Sequence, residues 1–471
     1  MKRVRWLDLI FVLTAFVFFF RAPFDPDLGW ELRCGQGWWQ GMGFCAVNQF
    51  TALLSGYRWV NHAWLYQVFL EPIYSHAGVV GLAFSGSLVA GATVAAIYFS
   101  MNTPRWWRLV WMALFVWVTR GVFSLGIRSQ LLGLLIFSGQ LLAWRRIKRR
   151  PVAIGTWILL MWLWVNFHGS FVMGLVAGVF LFGEEMVRTR RWSLIWGWLA
   201  GVGVTILNPF GIEVFWEAWS HFRGVELGQM IAEWVAPSGL IWWLSLGCGV
   251  VTIIYLLVAR KGKRFWVGGG VFLFLMLALS AQRHVPFLWI WSGYWLFENG
   301  SVWLTLNKRI SVADQKTLAW FLALVFAICG LVIKLPTEIK KVRNYEAIIC
   351  STYPCKAVEF LKQSGDNGAV FNRYEWGGFL VWKMPERQFF VDGRMPAWNL
   401  DGKSPYSIYL EALQNQPGWQ KELSDYGMEW ILISPGTFTD LLLRPAPAKY
   451  GWREVYRDKI SVVYRKVDPS L

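Results

Sequence analysis

The first hydrophobic run ends in Phe24-Asp25-Pro26-Asp27-Leu28-Gly29-Trp30, two carboxylates separated by one proline. Proline biases the residue before it towards extended backbone, so Asp25 and Asp27 are expected to stand apart on an extended stretch. Beside a lipid surface such a pair can supply a general base or coordinate a divalent cation. The plainer alternative is a solvated turn in which Asp27 caps the helix that follows. Further polar residues interrupt apolar sequence. They are Asn61 and His62 in "WVNHAWL", Arg128 in "GIRSQLLG", Asn166 and His168 in "WVNFHGSFVMG", and Arg283 and His284 in "SAQRHVPF". Ionisable groups at the ends of membrane helices are costly and usually face a cavity or a partner, although any one of them could snorkel to the headgroups. Two acids among several cations suit group transfer from a phosphorylated donor. A carboxylate activates the acceptor hydroxyl while Arg and His neutralise the departing phosphate.

The elements that must position these residues are membrane helices. The 471 residues include 34 Trp and 34 Phe, only 16% are charged, and mean hydropathy is +0.39. Soluble domains carry about a quarter charged residues. Apolar stretches near 6–21, 78–100, 106–124, 129–144, 152–167, 170–187, 192–207, 239–259, 266–282, 285–304 and 317–334 approach the roughly 20 residues that cross a hydrocarbon core. The first follows Lys2, Arg3 and Arg5 and runs into "FFFRAPFDPD" with no small-residue cleavage pattern, so it is expected to be a retained span. The connecting loops alternate in charge. One side carries twenty Lys and Arg, among them Arg105, Arg145, Arg150, Arg188, Arg260 and Lys308; the other carries seven, among them Arg21, Arg120, Arg128 and Arg283. By the positive-inside rule the N-terminus is cytoplasmic, and an odd number of spans leaves the C-terminal segment outside. Asp25, Asp27, His62, Arg128, His168, Arg283 and His284 then share the outer face, where a common site is the expectation. The formal charge of +17 reports topology, and nucleic acid is not an expected partner.

The first outer loop, 22–77, is expected to hold two interfacial helices, 29–40 and 59–74, which mix rings with isolated charges. A second outer segment, 208–238, carries Glu213, Glu217, Glu226 and Glu233. Residues 1–334 thus read as a transmembrane domain and 335–471 as an extracytoplasmic α/β domain. In the latter, a helix over 354–363, strands at "AVFN", "FFVDG" and "WILISP", a helix near 436–443 and a closing strand pair allow a Rossmann-like sheet. No Gly-rich phosphate fingerprint follows its strands, so nucleotide binding is not expected. Cys34 with Cys45, and Cys350 with Cys355, share outer segments and are either disulfides or free thiols; no Cys/His spacing marks a metal site.

Taken together, the chain resembles the C-type (GT-C) glycosyltransferase superfamily, in having many spans, a long first outer loop with two interfacial helices, an acid just after the first span, and a C-terminal outer domain. It is more closely similar to a group of bacterial polytopic membrane proteins that share "DPDLGWEL", "WVNHAWL", "RSQL", "WVNFHGSF", "NPFG", "EWVAP", "RHVPF", "NRYEWGGFL" and "VDGR" in this order, between residues 25 and 394. The resemblance implies an all-α polytopic fold of about eleven transmembrane helices with a C-terminal extracytoplasmic α/β domain, in the cytoplasmic (inner) membrane. It also implies transfer of a sugar from a polyprenyl-phosphate-type donor to an outer-face acceptor. The superfamily's catalytic acid falls on Asp25 or Asp27. Asp27 is favoured as base, with Asp25 assisting or binding a divalent cation (Mg or Mn). Metal-dependent members show a second acidic pair in a later outer loop; Glu213 and Glu233 are weak counterparts. Arg128, His168, Arg283 and His284 would hold the phosphate, with Asn166 beside them, and Asn61 and His62 would orient sugar or acceptor. In the tail, Asn372, Tyr374, Glu375, Trp376, Gly377, Gly378, Asp392 and Arg394 either build a structural turn or cap the site or grip the acceptor. The rival reading is a non-enzymatic membrane protein that binds a partner or lipid headgroups through its outer domain. Transport ranks lower, because the charges sit at span ends and no internal repeat appears.

Overall fold

A helix forms in every long apolar run, because in hydrocarbon only a helix satisfies its own backbone. The computed structural model describes residues 6–223, 231–259, 265–298, 311–399 and 403–467. Glu226 and the basic residues at 2–5, 260–264 and 308–309 lie outside the described residues. The helices are α1 (Trp6–Phe18), α2 (Leu28–Trp39), α3 (Trp64–Ser100), α4 (Arg105–Val118), α5 (Ser129–Arg146), α6 (Arg150–Phe167), α7 (Phe171–Thr189), α8 (Ile195–Val204), α9 (Glu213–Arg223), α10 (Gly239–Ala259), α11 (Phe265–Ser280), α12 (Val285–Leu296) and α13 (Val312–Ile328). A π-helical stretch, Cys329–Lys334, continues α13 into α14 (Leu335–Arg343). A helix thus occupies each of the expected apolar stretches. Four described helices are long and apolar enough to cross a membrane: Trp64–Ser100, Arg150–Phe167, Gly239–Val258 and Ala313–Arg343. Trp6–Phe18, Trp192–Val204 and Trp266–Ser280 are apolar but shorter.

The chain divides into two compact units, residues 1–23 with 79–342, and residues 24–78 with 343–471. The first outer loop, grouped with the spans on sequence grounds, therefore shares its core with the C-terminal segment. The expected interfacial helix at 59–74 begins at Trp64 and is continuous with the next span, interrupted at Gly78, whose φ of 56° few other residues adopt. Gly78 is also where the two units meet along the chain.

In the helical unit, buried charge is paired. Asp8, 5% exposed, accepts from Arg105 Nε and Nη2, both at 2.8 Å, and from Tyr98 Oη at 2.7 Å. Arg150 and Arg188 both bind Glu185, at 3.1 and 2.7 Å. Arg145 donates to Ser100 O, the last carbonyl of α3, and to Tyr294 O near the end of α12 (2.6 Å), where the helix dipole favours a cation.

The second unit adds α15 (Tyr345–Ile349), α16 (Cys355–Gln363), α17 (Gly377–Lys383), α18 (Pro405–Leu413), α19 (Trp419–Asp425) and α20 (Phe438–Leu443) to a four-stranded sheet. Its strands are β1 (Ala369–Asn372), β2 (Met428–Ile433), β3 (Trp452–Arg457) and β4 (Val462–Lys466), in the order β1-β2-β4-β3. Only β1 and β2 run parallel; β2–β4 and β4–β3 are antiparallel. The sheet is mixed, not Rossmann-like, because β3 and β4 join through a tight turn that forces antiparallel pairing. "FFVDG" forms only single bridges, through Phe389 to Thr51 and Val370. Trp30, Cys34, Leu53 and Trp59 of the loop bury among Phe371, Trp376, Leu380 and Met395. Disulfides join Cys34 to Cys45 and Cys350 to Cys355. Helices α2 and α17 meet at glycines. A methyl group added to Gly29 would overlap the Gly378 carbonyl oxygen, and one added to Gly378 would overlap the Pro26 carbonyl oxygen.

Two outcomes follow from this packing. Asp8→Asn removes the buried carboxylate from a charge-assisted hydrogen bond with the partly exposed Arg105 and should cost about 1.5–3 kcal/mol, read as a lowered unfolding temperature in detergent. Gly378→Ala should cost about 1–3 kcal/mol through overpacking, whereas Gly365→Ala, with open space around it, should show only the smaller cost of its positive φ.

Candidate functional site

The acids belong to the second unit. Asp25 is 7% exposed, and its Oδ1 accepts the Asp27 N–H at 3.1 Å. Asp27 occupies the N-cap position of α2 without a side-chain capping bond. Its Oδ1 instead accepts the Trp30 indole N–H at 2.9 Å, and a methyl group on Gly393 would overlap that same oxygen. "DPDLGW" and "VDGR" are thus fitted to each other, with the half-buried Asp27 carboxylate between them. Tyrosines surround the acids. Burial, reinforced by Asp25, Asp27 and Glu375, pushes the Tyr353 hydroxyl up to about 12, and burial with Asp27 and Asp392 raises Tyr374 further. Both remain proton donors across the physiological range.

Asn61 is 1% exposed. Its Nδ2 donates to Phe44 O (2.8 Å) and Gln67 Oε1 (2.7 Å), and its Oδ1 accepts from Gln67 Nε2 (3.0 Å), so it fixes the loop. His62 is half-buried beside it. Asp392 and Arg394 form a fully buried pair at 2.6 Å, and Arg394 Nη2 donates to Asn48 Oδ1 at 2.9 Å. The Arg394 guanidinium lies over the rings of Phe50 (4.6 Å) and Trp398 (5.4 Å). Asn372 donates to Val391 O and accepts from Phe390 N–H, both at 2.9 Å. For Asn372, Asp392 and Arg394 these contacts are those of a structural turn.

The cations belong to the helical unit. Arg128, at the N-cap of α5, pairs with Glu233. The segment after α9 is tied to the turn before α12 by Arg283 N–H to Glu233 O (3.1 Å) and Gln282 N–H to Val235 O (3.0 Å). This brings three groups around the Trp234 ring: the Arg283 guanidinium at 4.2 Å, His221 stacked at 5.8 Å, and His284 edge-on at 6.2 Å. Burial lowers His284 and His221 to about 4, so both imidazoles are neutral near pH 7. Burial opposes ionisation of Glu233, but Arg128 and Arg283 outweigh it and hold the carboxyl below its ordinary value. A cavity of about 310 Å³ opens here, lined by Arg120, Gln130, Glu233, Gln282 and Arg283 among apolar residues such as Val118 and Pro286.

His168 lies in the α6–α7 turn, where its Nδ1 accepts the Ser170 N–H at 3.0 Å. Asn166 Nδ2 donates to Trp162 O at 2.8 Å. The turn approaches α5 at Gly133, through Ser170 and Trp164, and α9 through the Phe171–Phe215 ring pair at 5.4 Å. The structure therefore gathers Arg128, Arg283 and His284 with Glu233, and sets Asn166 and His168 in an adjoining hairpin. Asp25, Asp27, Asn61 and His62 belong to the other unit.

Sequence reading passed over Trp234, His221 and Arg120 as members of this group. The Glu217/His221 pair, four apart on a helix, was a usable signal; an aromatic platform such as Trp234 has none in a chain so rich in Trp. Among the described residues no three His, Cys, Asp or Glu side chains gather closely enough to hold a metal ion.

No protein-family model matches the chain, and no curated protein matches it in sequence. Solved structures do match in fold, and their class is that of oligosaccharyltransferases. The apo oligosaccharyltransferase of Archaeoglobus fulgidus is 11% identical, covers 99% of this chain and 75% of its own, and superposes with a TM-score of 0.55. Oligosaccharyltransferase AglB of the same organism, in complex with an inhibitory peptide and a dolichol-phosphate, is 10% identical with the same coverage and a TM-score of 0.58. A form of the enzyme with zinc and sulfate gives 0.52 at 10% identity, over 98% of this chain and 73% of its own. At this identity the likeness is one of fold. It agrees with the expected helical region followed by a C-terminal domain.

The packing of α9 is expected to depend on pH. Burial raises Glu217 from its ordinary 4.5 to about 7. A carboxyl whose folded value is raised binds its proton more tightly when folded, so its contribution is present below about 4.5 and is lost as pH rises through 7. Hydrogen exchange of the α9 amides should accelerate across that window beyond the intrinsic base-catalysed rise, and Glu217→Gln should remove the excess.

Proposed function

We propose that the protein is a membrane glycosyltransferase. It moves a sugar from a polyprenyl-phosphate-type donor to an acceptor at the outer face of the cytoplasmic membrane. In this reading about eleven spans place the N-terminus inside and the C-terminal unit outside, as the distribution of Lys and Arg requires. The observation that carries the reading is the cavity beside Trp234. Its walls are apolar, and its polar lining is dominated by Arg120 and Arg283, with Glu233 already engaged by Arg128. Such a chamber suits an anionic headgroup on an apolar tail, and the likeness of fold to oligosaccharyltransferases, one of them holding a dolichol-phosphate, supports that choice.

The roles follow from charge. Asp27, oriented by the Trp30 indole and the Gly393 backbone, accepts the proton of the acceptor hydroxyl, with Asp25 holding the Asp27 backbone in place. The acceptor oxygen attacks the anomeric carbon, the bond from that carbon to the phosphate oxygen breaks, and its electron pair stays on the phosphate. Arg283 and Arg128 stabilise the added negative charge; His168, whose Nδ1 accepts the Ser170 N–H, has its Nε2 to donate to it, and His284, its Nδ1–H held by the Leu277 carbonyl, backs Arg283. Direct attack inverts the anomeric centre. His62 meets the sugar or the acceptor.

Purified protein in nanodiscs, supplied with polyprenyl-phosphate sugars and a panel of hydroxylated acceptors, tests this. Asp27→Asn should lower kcat by about 10²–10⁴-fold with little change in KM for the donor, and Arg283→Gln should raise that KM. Unchanged turnover in the Asp27 variant would remove it from the mechanism.

A further inference from the structure

The helical unit contains a second opening of different character. A groove of about 390 Å³ runs between α1, α4 and α13, with Phe19, Leu109, Ala113, Val116 and Phe326 among its walls. Three cations line it: Arg21 from the end of α1, Arg120 from the end of α4, and Lys334 from the continuation of α13. Each donates to a carbonyl: Arg21 Nη1 to Ser124 O at 3.0 Å, Arg120 Nη1 to Trp117 O at 3.1 Å, and Lys334 Nζ to Phe18 O at 3.3 Å. Among the described residues none of the three forms an ion pair with a carboxylate. Glu338, the acid that acts on Arg21 and Lys334, is itself held by Lys341 Nζ (2.8 Å) and the Ala22 N–H (3.3 Å). In the proposed orientation all three cations stand at the outer face, where the positive-inside rule disfavours unpaired Lys and Arg.

We infer that this groove is a binding site for a single-chain lipid phosphomonoester, with its phosphate on Arg21, Arg120 and Lys334 and its tail along the apolar wall. Charge selects that headgroup. A phosphomonoester carries about −1.5 to −2 at neutral pH, whereas a glycerophospholipid or a sugar-phosphate-lipid diester offers its phosphate as a single charge. Three cations, none of them in an ion pair among the described residues, match the former better. Arg120 also lines the cavity that holds Arg283, so the two openings share a side chain. Resting on the proposed transferase reading, this assigns the groove to the product carrier. Sugar transfer converts a phosphodiester to a phosphomonoester, and the gain of charge shifts the lipid's preference towards the three-cation end.

Native mass spectrometry of the full chain in a neutral detergent, titrated with farnesyl phosphate, farnesol or phosphatidylglycerol, tests the site. Farnesyl phosphate should bind the wild type more tightly than either other lipid. Arg21→Gln with Lys334→Gln should weaken it by about tenfold or more, and Ala113→Trp, which fills the groove and leaves the charges alone, should weaken it similarly. Equal affinity for phosphatidylglycerol, or undiminished binding by the double variant, overturns the site. Because the wild-type lipid comparison needs no variant, a folding defect cannot mask a failure. Sugar transfer is assayed in parallel. Absence of transfer with the lipid preference intact overturns the proposed function and leaves the site standing.

Discussion

An ionised side chain in an apolar surrounding must find a partner, and this constraint organises the helical unit. Asp8 is met by Arg105 and Tyr98, and Glu185 by Arg150 and Arg188. Arg145 and Arg146 close on carbonyls at the end of α3. At the opposite ends of the same helices, Arg128 takes Glu233, and Arg283 takes the face of Trp234. The Glu233 pairing does more than neutralise charge. With the main-chain bonds from Gln282 and Arg283 it anchors residues 231–235 over the turn before α12, and a cavity wall forms there.

The second unit solves a different problem with different means. Its sheet has four short strands, and a sheet of that size buries little surface unless other segments cover it. The loop at 24–78 supplies the cover: Trp30, Leu53 and Trp59 enter the core, and the Arg394–Asp392 pair ties Asn48 to the turn after "FFVD". Close approach of α2 to α17 at Gly29 and Gly378 then determines where α2 begins, and so where Asp25 and Asp27 point. The acids owe their position to packing far along the sequence.

Much of the helical architecture was legible because hydrocarbon leaves the backbone one solution. The expected span at 78–100 begins at Gly78, the point where α3 departs from helical geometry. The α16 helix and strands β1, β2, β3 and β4 were equally visible, as β-branched and aromatic runs between turn residues. What failed was what depends on tertiary partners. "FFVDG" has strand composition but makes only single bridges, and the sheet is mixed because pairing direction is set by connections, not by strand sequence. The membership of 24–78 in the second unit was hidden for the same reason: its aromatic rings suit a lipid interface and a protein core alike. Of the candidate site, Arg128, Arg283 and His284 were recognisable as charges out of place. Trp234 was not, since its role comes from neighbours in three separate segments.

The Asp25-Pro26-Asp27 geometry bears on what kind of chemistry the acids can support. A helix cap would have committed the Asp27 carboxylate to backbone N–H groups, stabilising its anion and weakening it as a base. In the structure Asp25 takes the Asp27 N–H, and the Asp27 carboxylate accepts the Trp30 indole N–H. The indole orients the carboxylate while supplying less stabilisation than the charged or multiple donors of an ion pair. Tyr353 and Tyr374, kept protonated by burial and by these same acids, bring no positive charge to them. In the proposed reading this half-buried setting, with the Trp30 indole orienting the carboxylate, is the one from which Asp27 takes the proton of a hydroxyl.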